Sequence, residues 1–147
     1  MAGKIRFFQE DIRTRIPQKR AINDWINQVV LAEKSSLAGD LNIVFCSDRY
    51  LLDINKRFLD HDYYTDIITF GGTKSNNGIS GDIYISLERV KDNAAELRSK
   101  LPDELHRVVV HGVLHLLGYK DKAARDVRQM RSKEDYYLGK RPALLLA

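Results

Sequence analysis

The chain has 147 residues, 44% of them hydrophobic and 30% charged. This composition belongs to a globular protein that can bury roughly two thirds of its unfolded surface, not to a disordered one. Its lone cysteine, Cys46, excludes an internal disulfide and a cysteine-based zinc cage, and points to a reducing compartment. The formal charge of +4 is too small to name a nucleic-acid partner by itself.

The opening MAGKIRFFQEDIR meets acidic residues before any apolar core forms, unlike a signal peptide. No segment approaches the roughly 18 uninterrupted apolar residues of a membrane span. The expectation is a cytoplasmic protein with no membrane association, folded as a single domain over residues 1–147.

In chain order, a first strand is expected at residues 4–8. A helix should follow Pro17, a residue suited to a first helical position, with Ile22, Trp25, Ile26, Val29 and Val30 at helical spacing. Residues 41–46, LNIVFC, form a second, buried strand in which Cys46 reads as an inert structural thiol. Ser47 or Asp48 can cap a helix reaching about Phe58. Two short strands at 66–70 and 82–86 flank a loop, GGTKSNNGISG, at 71–81. A helix at about 87–98 comes next.

Pro102, Asp103 and Glu104 announce a further helix, the acids complementing the positive end of its macrodipole. It continues through LHRVVVHGVLHLLG, is apolar nearly all round, and should lie central and buried. A last helix at about 123–138 turns Val127, Met130, Tyr137 and Leu138 inward and its arginines outward. The fold class is α+β: a small mixed β-sheet with surrounding helices and a central buried helix carrying two histidines.

Those histidines, His111 and His115, are four residues apart and share one helical face, so their rings can converge on one ion. Gly118 accepts the left-handed conformation that ends helices, and the reversal can bring back Asp121 as a third ligand. Three nitrogen or oxygen ligands with an open position is the arrangement of zinc hydrolases, whereas structural zinc usually takes four ligands. In H-E-x-x-H proteases the residue after the first histidine is the general base; here it is Gly112. His106 is rotated off the ligand face and reads as a non-ligand. Asp66 and Asp82 read as turn caps or structural hydrogen-bond acceptors, with a role in orienting a ligand histidine as the alternative.

HGVLHLLGYKD resembles the H-G-x-L-H-L-x-G-Y-D-H signature of the YbeY family, bacterial metal-dependent endoribonucleases of small-subunit ribosomal RNA maturation. DYYTDIITF (62–70) and GDIYIS (81–86) are similar to the family's D-x-P-T-D-V-L-S-F and G-D-I-x-I-S segments. The resemblance covers residues 41–137. It implies one divalent metal ion on His111, His115 and Asp121, with zinc leading and manganese or nickel as alternatives. The implied partners are single-stranded RNA and the small ribosomal subunit.

Three departures stand out. Asp121 replaces the family's third histidine, adding a negative charge that should reduce the acidity the ion confers on water. Leu59 stands where the family has an arginine, and His61 where it has a lysine. A cation that would hold substrate phosphate is therefore lost or supplied elsewhere. His61, in a polar turn beside TDIITF, is a candidate phosphate contact, as are Arg125 and Arg128 in the basic run 120–133. Tyr63, Tyr64 and Tyr119 could stack on unpaired bases. His111 is the catalytic candidate through the metal, with no separate base identified. The competing readings are a peptide hydrolase, which Gly112 disfavours, a ribosome-assembly factor with little turnover, and a structural metal.

Overall fold

The structure is a computed structural model describing residues 3–34, 38–72 and 79–146. Its four strands are β1 (Ile5–Gln9), β2 (Leu41–Cys46), β3 (Ile67–Gly72) and β4 (Ser80–Ser86). They form a mixed sheet in the order β1-β2-β4-β3, where β1, β2 and β4 run parallel and β3 is antiparallel at the edge. Between and after them come α1 (Lys19–Lys34), α2 (Asp48–Leu59), α3 (Leu87–Leu97), α4 (Leu101–Leu116), α5 (Ala124–Leu138) and the single turn α6 (Ala143–Leu146).

Alternation along the strands sends side chains to two different cores. Ile83 and Ile85 of β4 join α1, α3 and α4 in the larger core, while Ile68 of β3 joins Leu51 and Ile54 of α2 in a smaller one. Tyr84, between the two isoleucines, packs against the smaller core. Thus α2 covers one face of the sheet and α4 the other. The central position expected of the apolar helix holds, since Val109, Val113 and Leu114 are fully buried. Each such side chain contributes roughly 1.5–3 kcal/mol on burial. Trp25, also fully buried, ties α1 to α5 by donating from Nε1 to the Tyr137 carbonyl at 2.9 Å.

Several expectations need correction. Pro17 lies in a turn before α1, because Gln18 takes a left-handed φ of 61° and separates it from the helix. Val127 is 47% exposed and does not face the core, although Met130, Tyr137 and Leu138 do. The loop between β3 and β4 is shorter than residues 71–81, since pairing continues to Gly72 and resumes at Ser80; residues 73–78 lie outside the described residues. The short α6 has no counterpart among the helices expected from sequence. Cys46 fits its expected role: buried, its thiol donates to the Ile85 carbonyl at 3.5 Å, and burial pushes its pKa up to about 12.

His106 is a core residue, as its rotation from the ligand face requires. It is 4% exposed, meets the Trp25 ring edge-on, and accepts at Nδ1 from the Arg141 guanidinium at 2.9 Å. Burial, aided by Arg141, pushes its pKa down from 6.5 to about 4. Above pH 6.5 the folded and unfolded chains both hold it neutral. Below that, the unfolded chain takes up the proton first, so stability should fall between pH 6.5 and 4 by up to about 3 kcal/mol. Urea unfolding at pH 7 and pH 5 checks this. In His106→Asn, whose amide oxygen can still accept from Arg141, the histidine's share of the acid loss should disappear.

Candidate metal centre

α4 ends where Gly118 adopts a φ of +106°, with Gly118 N–H donating to His115 and Tyr119 N–H to Leu114, each at 3.0 Å. This is the Schellman arrangement, and it reverses the chain towards α4. A Cβ on Gly118 would meet nothing within 4 Å, so glycine is needed there for its dihedral angle and not for space.

The reversal brings Asp121 Oδ2 to 3.3 Å from His111 Nε2 and 3.2 Å from His115 Nε2. One ligand atom from each of the three residues lies within 4.8 Å of the others, the one such group of metal-binding side chains among the described residues. The two rings stand nearly perpendicular, with centroids 4.5 Å apart.

The outward nitrogens are held by different partners. His115 Nδ1 donates to the Tyr119 carbonyl at 3.0 Å; a carbonyl can only accept, so Nδ1 carries a proton and Nε2 is the nitrogen turned to Asp121. His111 Nδ1 lies 2.6 Å from Glu134 Oε2, a carboxylate almost wholly buried. Burial opposes the charge on Glu134, but His111 and Arg107 outweigh it and hold its carboxyl below the usual range. Burial likewise opposes a charge on His111, and Glu134 outweighs it, so the imidazole is raised. The donor set of two Nε2 atoms and one carboxylate, each ring oriented through Nδ1, suits a divalent transition metal.

Tyr119 is itself fixed. Its hydroxyl donates to Glu33 of α1 at 2.6 Å, and Glu33 also receives the Tyr137 hydroxyl and the Lys133 ammonium, the latter at 3.1 Å. This network anchors the turn whose carbonyl orients His115. The Glu134 and Glu33 roles went unseen in the sequence. One signal was available: Glu134 is an acid four residues from the buried Met130, on the inward face of α5.

Asp66 and Asp82 do not orient the histidines. Asp82 accepts from Asn42 on the neighbouring strand at 2.9 Å, and Asp66 from Asn93 of α3 at 3.2 Å. Asp66 nonetheless lines a cleft of about 340 Å³ that opens over the triad. His61, Leu59 and Lys122 line the same cleft. His61 sits in a loop held by the buried Asn55, which receives at its carbonyl the His61 N–H and donates its amide to the Tyr63 carbonyl; the His61 ring stacks on Tyr63. Arg125 lines a different cleft of about 620 Å³ with Tyr119 and Lys120, and Arg128 is exposed on α5 away from both.

The mixed sheet, the buried helix and the cluster of two histidines and a carboxylate define an α+β protein of the metal-hydrolase type. Comparison with known proteins makes this specific. The family profile of endoribonuclease YbeY matches residues 4–141. The protein of that name from Cytophaga hutchinsonii is 52% identical over 93% of this chain and 95% of its own, and that from Amoebophilus asiaticus is 44% identical over 92% of each. The chain belongs to the endoribonuclease YbeY family. A solution structure of a Thermotoga maritima protein shares the fold, with a TM-score of 0.64 at 24% identity over 93% of this chain and 88% of that one.

Proposed function

We propose that this chain cleaves phosphodiester bonds of single-stranded RNA in the maturation of small-subunit ribosomal RNA, with one divalent ion on His111, His115 and Asp121. Family membership makes it an endoribonuclease, a hydrolase. The observation that carries the metal reading is the convergence of two oriented imidazole nitrogens on one carboxylate oxygen. Zinc leads, because three nitrogen and oxygen ligands with open positions suit it; manganese and nickel compete for a site with an added oxygen donor. When bound, the ion supplies Lewis acidity towards phosphoryl oxygens and lowers the pKa of a water.

The chain's own residues supply the rest. Glu134 and the Tyr119 carbonyl hold the two rings through Nδ1, so that both Nε2 atoms are aimed at the triad. Lys122 and His61 line the cleft over it together with Leu59, and either would stand in for the cation missing at Leu59. Lys122 forms no ion pair among the described residues and is exposed, ready to meet a phosphate. Arg125 and Arg128 would contact the RNA backbone farther along. The setting is the cytoplasm, where ribosomal precursors are handled. In keeping with this, no helix among the described residues is long and apolar enough to cross a membrane.

Peptide hydrolysis lacks support from the geometry: at Gly112 a Cβ would meet Ile67 and Ile83 of the sheet, so that position faces away from the cleft. The test is cleavage of an unstructured RNA by chelator-stripped protein. Activity should vanish and return with zinc or manganese, while His111→Ala should stay inactive. A cyclic phosphate on the product would assign the attack to the ribose hydroxyl, and its absence to water. Full activity of His111→Ala in chelator would overturn the proposal.

A further inference from the structure

A second cleft, of about 300 Å³, opens on the other side of the triad and shares Asp66, His111 and Asp121 with the first. α4 packs against both α3 and α5 and forms the floor, while the two neighbours form the walls. The volume falls at the lower end of the roughly 300–1,000 Å³ found for small-molecule sites, enough for one nucleoside and not for a folded partner.

Two features of this cleft have no structural explanation. Glu104, on the floor two helical turns before His111, is 5% exposed, yet its carboxylate accepts no hydrogen bond and forms no ion pair among the described residues. Burial pushes its carboxyl above the ordinary range, against the pull of Arg107. A buried polar group without a partner is costly and signals a partner still to come. It is not placed for a second metal ion, because among the described residues only His111, His115 and Asp121 bring three ligand atoms together. The second feature is apolar: Leu97 of α3 is 60% exposed and Val127 of α5 47% exposed, both in this cleft.

A flat heteroaromatic ring with N–H donors on its edge satisfies both features. In unpaired RNA the Watson–Crick edge is free and the ring faces are available for stacking. A carboxylate is the acceptor that selects an exocyclic amino group. Resting on the RNA reading above, we propose that this cleft is a base-binding subsite for the nucleotide next to the scissile phosphate. Leu97 and Val127 bracket the ring, and Glu104 accepts from its amino group. Uracil, which offers a carbonyl where cytosine offers an amine, is disfavoured there.

The experiment titrates the full metal-loaded chain with cytidine 5′-monophosphate and uridine 5′-monophosphate, following the Met130 methyl and Asn93 amide NMR signals at the cleft. Cytidine monophosphate should bind about tenfold tighter, a factor set by one selective base contact. Glu104→Met removes an unpartnered carboxyl from a buried position and should erase the difference. Val127→Glu, at an exposed wall, should weaken both nucleotides and keeps the test open if the first variant fails to fold. Equal binding of the two nucleotides by the native chain, no change in the cleft signals, or a preference that survives Glu104→Met would overturn the subsite. Cleavage of RNA is assayed alongside. A cytidine preference without any RNA cleavage would sink the nuclease reading alone, and cleavage without the preference would sink the subsite alone.

Discussion

Glu134→Ala is expected to weaken zinc binding at the triad by about 10- to 100-fold, the usual cost of losing the partner that orients a ligand histidine. The Glu134 side chain is 5% exposed and divides its two oxygens between His111 Nδ1 at 2.6 Å and Arg107 at 2.9 Å. Without it the His111 ring loses both its orientation and the acceptor that keeps the proton on Nδ1. The metal-free protein should also lose stability, because the Arg107 side chain is only 23% exposed and would keep a single acid, Asp135, at 2.7 Å. That remaining pair holds the loss to about 2 kcal/mol, below the roughly 3–5 kcal/mol of stranding a buried charge altogether. Glu134→Gln, which keeps the shape and an acceptor oxygen, should fall between. Competition with a chromophoric chelator reads the affinity, and urea unfolding in chelator reads the stability. Native zinc affinity in Glu134→Ala would refute the orienting role.

The triad was legible in the sequence because its determinants are local: a four-residue helical spacing, a glycine that reverses the chain, and an acid three residues later. β2 and the start of α2 were legible for a similar reason, since an apolar run and a capping serine depend on near neighbours. Ser47 does cap α2, accepting from the Tyr50 N–H group; Ser86, a cap not expected from the sequence, does the same for α3 through the Arg89 N–H group. Glu134 and Glu33 were not legible, because their partners lie 23 and 86 residues away in the chain. An acid on a helix looks solvated until the packing of that helix is known. Val127 shows the converse: an apolar residue at helical spacing with Met130 was read as core, but the surface it faces is a cleft. The missing arginine at Leu59 left a cation either lost or supplied elsewhere; which cation faces the same cleft, Lys122 from the turn after Asp121, depends on the fold.

Gly112→Glu, which would restore the H-E-x-x-H pattern in letters, should unfold the protein without creating a peptidase. One residue advances an α-helix by about 100°, and that step carries position 112 from the cleft to the sheet. A Cβ there would lie 2.8 Å from Ile67 Cδ1 and 2.9 Å from Ile83 Cγ2, and Ile83 is fully buried. Overpacking of this kind costs roughly 1–3 kcal/mol even for apolar atoms. The carboxyl adds a burial cost of several kcal/mol, since the side chains it would meet there, Ile67 and Ile83, are apolar. The sum rivals the roughly 5–15 kcal/mol that keeps an ordinary domain folded. Gly112→Ala separates the two effects: its methyl, at 2.8 and 2.9 Å from the isoleucine side chains, forces them to move aside, and about 1 kcal/mol of helix propensity offsets part of that cost. It should fold, bind zinc as the native chain does, and melt somewhat lower. Circular dichroism melts and a chelator-sensitive casein assay check both variants. A folded Gly112→Glu protein that digests casein would show that the glycine, and not the direction in which position 112 points, is what keeps this metal centre from peptide bonds.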